Sequence, residues 1–142
     1  MSPTLSPPML PLDVAAPKSG GNGRILVVDD ENPVREFIGA ALRSGGYGEV
    51  VYSGGGAGVP SLALTERPDL IIMDVMMPGG NGMRALRALR SCHATANIPV
   101  IITSGFAVPS LEDKAAARAD CHLAKPFTAE QLLSEVGRLV KR

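Results

Sequence analysis

The chain has 142 residues, 45% of them hydrophobic and 20% charged, enough for one domain with a real core. Its 14 basic and 14 acidic side chains cancel, so no global charge pulls it towards nucleic acid or an anionic membrane. No apolar run approaches the length of a membrane span, and no basic cluster followed by an apolar segment marks a secretory leader.

Residues 1–22 hold five of the twelve prolines (Pro3, Pro7, Pro8, Pro11, Pro17) and run into Ser19-Gly20-Gly21-Asn22-Gly23. Such a stretch buries little and resists regular structure, so a disordered tail is expected there and a folded domain over 23–142. The other reading is a docking segment acting through Leu5, Met9, Leu10 and Leu12.

Ile25-Leu-Val-Val28 is a short buried strand that ends in acid, at Asp29, Asp30 and Glu31. Asn32 is a good N-cap and Pro33 a good first helical residue. Val34, Phe37, Ile38, Ala41 and Leu42 then share one helical face, and Gly45-Gly46 stops the helix. A second strand is expected over 49–52. Gly54, Gly55, Gly56, Gly58 and Pro60 would fray a helix, which places the stable part of the next one at 61–66.

Leu70 to Met73 are apolar without alternation, the pattern of a strand buried on both faces of a parallel sheet, and Asp74 stands at its end. Pro78, Gly79, Gly80 and Gly82 turn the chain into a loop, and Asn81 can cap a helix over 83–92 with Leu86 and Leu89 inward. Arg84, Arg87 and Arg90 share a face of that helix, either as a solvated basic stripe or as a partner contact. A strand over 98–102 runs into Thr103, Ser104 and Gly105, and a helix over 109–117 follows. The strand 121–124 ends at Lys125-Pro126-Phe127. Thr128 and Gln131 make a capping box for a closing helix with Leu132, Leu133, Val136, Leu139 and Val140 inward.

Strand and helix alternate five times, which argues for an α/β fold with a doubly wound parallel sheet covered on both sides. In such sheets ligands sit at the carboxyl ends of the strands. Four strands deliver chemistry there: Asp29 and Asp30, Asp74, Ser104, and Lys125. Of three neighbouring carboxylates either one takes a proton or a cation sits among them, and for a cation hard oxygen donors with room for water favour Mg²⁺. Asp74 can attack phosphorus to form an aspartyl phosphate, Lys125 can pair with a phosphoryl oxygen, and Ser104 can donate to another. Taken singly, each of these residues reads equally as a turn, cap or surface group; as a set in strand order they read as one site. Cys92-His93 and Cys121-His122 suggest a metal site far less, because the tight ligand spacing of zinc sites is missing. The two cysteines read as reduced, half-buried thiols in a cytoplasmic protein.

Ile25-Leu-Val-Val-Asp29-Asp30-Glu31, Asp74-Val-Met-Met-Pro78 with Gly82, Pro99-Val-Ile-Ile-Thr-Ser104-Gly105 and Lys125-Pro126-Phe127 resemble the receiver domain of two-component response regulators over about residues 24–141. The resemblance implies a flavodoxin-like (βα)5 fold with strand order 2-1-3-4-5. It implies that Asp74 accepts a phosphoryl group from a histidine kinase or phosphotransfer protein. Asp29 and Asp30 would hold Mg²⁺ directly or through water, with the backbone carbonyl of Met76. Lys125-Pro126 should be cis, which only an X-Pro bond tolerates readily.

It also implies a switch in which Ser104 moves towards the phosphate and the side chain three residues before the lysine turns inward. That side chain is His122 here, where most receivers carry Tyr or Phe, and its ring is the type that titrates near neutrality. Arg118 stands where relatives carry Gly. The output surface implied for a downstream protein is the fourth helix, fifth strand and fifth helix, 109–140, with a weak homodimer also open.

The expected function is a stand-alone, phosphorylation-controlled binding module whose only catalysis is on itself, starting naturally at Met1 and ending too soon after that surface for an output domain. The same sequence would serve as the receiver excised from a hybrid kinase or larger regulator. A haloacid-dehalogenase-type phosphohydrolase needs Asp-x-Asp after the first strand, whereas Asp29 and Asp30 are adjacent. A flavodoxin-like electron carrier needs a Ser/Thr/Gly-rich phosphate loop where this chain is acidic.

Overall fold

The computed structural model describes residues 23–77, 82–105 and 118–140. The expectations for the tail at 1–22, the loop at Pro78 with the Asn81 cap, and the helix at 109–117 lie outside these residues. Five parallel strands form one sheet in the order β2-β1-β3-β4-β5. They are β1 (Arg24–Val28), β2 (Glu49–Ser53), β3 (Leu70–Asp74), β4 (Val100–Ser104) and β5 (Cys121–Ala124). Helices α1 (Asn32–Ser44), α2 (Val59–Glu66), α3 (Gly82–Ser91) and α4 (Ala129–Leu139) cover it.

Central strands β1, β3 and β4 are buried on both faces, as their unalternating apolar runs require. Alternate residues feed two cores. Ile25, Val27, Leu70, Ile72 and Ile101 pack with Ile38 and Leu42 of α1 and Leu132 and Val136 of α4. Leu26, Val28, Ile71, Met73, Val100 and Ile102 pack with Val59 and Ala63 of α2 and Ala85, Leu86 and Leu89 of α3. The sheet is thus sandwiched, and polar groups gather at the strand ends without entering a core.

Local details depart from the expectations for identifiable reasons. α1 starts at Asn32, with Glu31 in the cap position and no side-chain cap. The Asn32 carboxamide instead accepts a bond from the Arg35 guanidinium at 2.6 Å. Phe37, expected inward, is 43% exposed because it leans on Phe127 with ring centroids 6.0 Å apart. α2 takes in Val59 and Pro60, which sit at its start, where the missing proline N–H costs nothing. β4 begins and ends two residues later than expected, and Thr103 and Ser104 are its last two residues. The Thr128–Gln131 capping box forms in full.

Of the three arginines expected on one face of α3, Arg84 and Arg87 are exposed, but Arg90 departs from both the basic-stripe and the partner-contact readings. Its side chain is 7% exposed and pairs with Asp120 at 3.0 Å. It also donates to the carbonyls of Ala96, Ile98 and Arg118. Asp120 in turn accepts from the backbone N–H of Val100, the first residue of β4. This clamp ties the end of α3 to the entry of β4 and the approach to β5. Arg118 completes it by donating to the Arg90 carbonyl at 3.2 Å, and its backbone has no positive φ, so replacing the family's glycine brings no strain. Removing the clamp leaves carbonyls and a carboxylate with lost partners. Arg90→Ala is expected to lower unfolding free energy by about 2–4 kcal/mol, read as a lower urea midpoint with an unchanged slope.

Candidate functional site

The carboxyl ends of β1, β3, β4 and β5 bring together the residues singled out in the sequence. Asp29 follows β1 directly and is 1% exposed, while Asp74 closes β3 and is 4% exposed. Asp30 is exposed beside them. One ligand oxygen from each of the three lies within 4.8 Å of the others. Lys125, just past β5, reaches across the sheet edge to Asp29 Oδ2 at 2.9 Å and Asp74 Oδ2 at 3.3 Å. Its peptide bond to Pro126 is cis, as the resemblance implied.

Backbone amides fix the far oxygen of each buried carboxylate. The Glu31 N–H donates to Asp29 Oδ1 at 2.9 Å, and the Met76 N–H donates to Asp74 Oδ1 at 3.0 Å. Both contacts reach two residues forward, the short Asp side chain bonding its own chain as it turns out of the strand. Arg35 adds a bond to the Asp29 carbonyl. Gly82, the first residue of α3, passes so close to Asp74 that an added Cβ would lie 2.4 Å from the Asp74 carbonyl oxygen. The end of β3 and the start of α3 therefore meet backbone to backbone.

Burial alone would pull the Lys125 ammonium below its ordinary pKa, but the hydrogen bond to Asp29 and the charges of Asp74 and Asp29 outweigh it, so the value stands above 10.5. One cation faces three carboxylates, which leaves the cluster with an excess of negative charge and all-oxygen donors. That chemistry fits a hard divalent ion such as Mg²⁺. Among the described residues, this is the one group of three or more His, Cys, Asp or Glu side chains close enough to share a metal; Cys92-His93 and Cys121-His122 form none. Burial, followed by the negative charge of Glu135, pushes the Cys121 thiol up to about 11, which suits a packed thiol and not a ligand.

Ser104 is 4% exposed at the end of β4, its carbonyl accepting from the Lys125 N–H at 2.7 Å. His122 is exposed on β5 and, by alternation with Cys121 and Leu123, faces away from α1 and α4. Beside the carboxylates, Pro33, Val34, Phe37, Lys125, Pro126 and Phe127 line an apolar groove of about 530 Å³. Sequence reasoning missed this groove because Phe37 reads as a core residue by periodicity alone. It also passed over Thr103, which is buried at the level of Asp74.

Fold and site together define a receiver domain. The family model for the response regulator receiver domain matches residues 25–137, and the chain belongs to that family. The response regulator MprA of Mycolicibacterium vanbaalenii is 37% identical over 122 residues, 84% of this chain and 51% of that protein. The chain spans about half the length of the curated relatives it matches. Among solved structures, a Francisella response regulator receiver domain aligns with a TM-score of 0.74 and 30% identity, covering 85% of this chain and 98% of that one. The receiver domain of a sensor histidine kinase from Pseudomonas aeruginosa, with magnesium ion coordinated in the active site cleft, aligns with a TM-score of 0.73 and 30% identity, covering 83% and 98%. The phosphohydrolase and electron-carrier alternatives fall away. The chain is a phosphorylation-controlled signalling switch.

The position of Lys125 sets a pH dependence. Because its folded pKa is raised, its contribution to stability is fully present below the ordinary lysine value of 10.5 and is lost as pH climbs through the folded value. Urea titrations at rising pH are expected to reveal this alkaline loss in the parent. The same step should be missing from Lys125→Gln, and identical curves for both would exclude it.

Proposed function

We propose that Asp74 accepts a phosphoryl group from a phosphohistidine on a histidine kinase or phosphotransfer protein, with Asp29, Asp30, Asp74 and the Met76 carbonyl holding Mg²⁺. The observation that carries this is the single ammonium of Lys125 bridging two buried strand-tip carboxylates with a third beside them. A lone pair of an Asp74 oxygen forms the new bond to phosphorus while the P–N bond breaks, its electron pair staying on the donor imidazole. Bound Mg²⁺ would supply neutralisation of the carboxylate and phosphoryl charge. Lys125 pairs with a phosphoryl oxygen once the acceptor is modified, and Ser104 donates to another. Phosphoryl transfer asks a protein chiefly for positioning and charge compensation, which this edge provides.

Turnover is confined to the chain's own aspartyl phosphate, and the exchange takes place in the cytoplasm. Ser104 and His122 relay modification of Asp74 to the surface of β5 and α4, where a downstream protein binds. The apolar groove at Phe37 and Phe127 receives the phosphodonor protein, since it adjoins the carboxylates and has an almost wholly apolar lining.

Two experiments test this. Intact mass after incubation with Mg²⁺ and acetyl phosphate is expected to show one labile phosphoryl group on the parent and none on Asp74→Asn; equal adducts on both would move the acceptor elsewhere. Phe37→Ser is expected to label normally with acetyl phosphate yet accept phosphoryl from a phosphohistidine protein about tenfold more slowly. Equal loss with both donors would place Phe37 in folding and not in docking.

A further inference from the structure

Thr103 is a buried hydroxyl with nothing to bond. It is 1% exposed, and its Oγ1 is the one buried side-chain polar atom among the described residues that lacks a hydrogen-bond partner. Taking a hydroxyl out of water unpaired is unfavourable. Val or Ile would fill the position without that cost, as Val100, Ile101 and Ile102 do along the rest of β4.

The sheet register says what surrounds it. Thr103 is the partner of Asp74 on β3 and of Leu123 on β5. Extending the β1–β3 pairing by one residue sets Asp29 beside Asp74. Side chains at one level of adjacent parallel strands point to the same face. Asp74 lies two residues beyond Ile72, and Thr103 two beyond Ile101, so both share the face covered by α1 and α4. Lys125 starts two residues beyond Leu123 on that face and crosses the β4 column to reach Asp74. The polar side chains close to the Thr103 hydroxyl on this face are thus the reacting ones.

In the unmodified site both Asp74 oxygens are served, Oδ1 by the Met76 N–H and Oδ2 by Lys125. Resting on the reading of Asp74 as acceptor, we infer that the Thr103 hydroxyl donates to the Asp74 carboxyl group during phosphoryl transfer, when Lys125 is drawn onto phosphoryl oxygens. In the forward step an Asp74 lone pair makes the P–O bond and the donor leaves with the electron pair of the bond it loses. In hydrolysis a water oxygen attacks phosphorus, the P–O bond to Asp74 breaks with its pair returning to the carboxylate, and the water proton passes to solvent. Both transition states leave partial negative charge on Asp74 while Lys125 is engaged elsewhere. A hydroxyl donor there bonds the charged oxygen more strongly than a neutral acyl oxygen. An interaction strongest in the transition state speeds both directions.

The test measures, by intact mass, phosphoryl incorporation from acetyl phosphate with Mg²⁺ and its decay after the donor is removed, alongside urea unfolding. Thr103→Val is expected to slow both rates about tenfold while the unfolding midpoint holds or rises. Thr103→Ser is expected to restore most of both rates, and Thr103→Ala to be slowed as Val is. Parent-like rates in Thr103→Val, or equal slowing in Thr103→Ser and Thr103→Val, would overturn the inference. An adduct on the parent that vanishes in Asp74→Asn keeps the acceptor assignment separate from that result; no adduct on the parent would overturn both.

Discussion

One ammonium group between two buried carboxylates is the contact on which this edge of the molecule depends. Asp29 and Asp74 are 1% and 4% exposed, and without Lys125 their charges would face each other with little water to screen them. The lysine comes from 96 residues beyond Asp29 in sequence, so the pair closes the sheet from its first strand to its last. Each carboxylate is also anchored by a backbone N–H two residues on. A site built this way is held in tension: it is compensated enough to fold and negative enough to take a further cation.

The same economy governs the rest of the fold. Helices α1 and α4 cover one face and α2 and α3 the other, so the interiors of β1, β3 and β4 are committed to packing. Chemistry is left to the residues where strands end. The Arg90–Asp120 clamp secures the entry of β4 at the opposite end, and with it the height at which Thr103 and Ser104 emerge. Gly82 lets the backbone of α3 approach the Asp74 carbonyl more closely than any side chain would permit. Contacts at both ends of the sheet therefore hold these strand tips in place.

The closing wall of the site is apolar. Phe37 and Phe127 meet at a tilt of 52° and line a groove with Pro33 and Pro126, next to a cluster that is otherwise charged. A charged centre beside an apolar shelf suits recognition by a protein surface, since the shelf offers burial while the carboxylates and Lys125 offer direction. His122 lies on the other face of the sheet edge and joins the surface that β5 presents. The apolar shelf and His122 thus fall on different sides of the same strand ends.

By itself, the sequence determined the alternation of apolar runs with amphipathic segments, and that was sufficient for a parallel sheet with helices on both sides. It also marked the candidate site, because Asp29, Asp74, Ser104 and Lys125 each stand at or next to a strand end. Tertiary structure alone decided the matters that depend on register and on contacts between distant segments. Periodicity made Phe37 a core residue, yet its ring lies outside on Phe127; it made Arg90 part of a surface stripe, yet the Arg90 side chain is 7% exposed beneath carbonyls from two segments. Thr103 looked like one hydroxyl among neighbours until the β3–β4 pairing set it beside Asp74. Local patterning reports which face a residue prefers within its own element, whereas which distant groups it meets is settled only when the strands align.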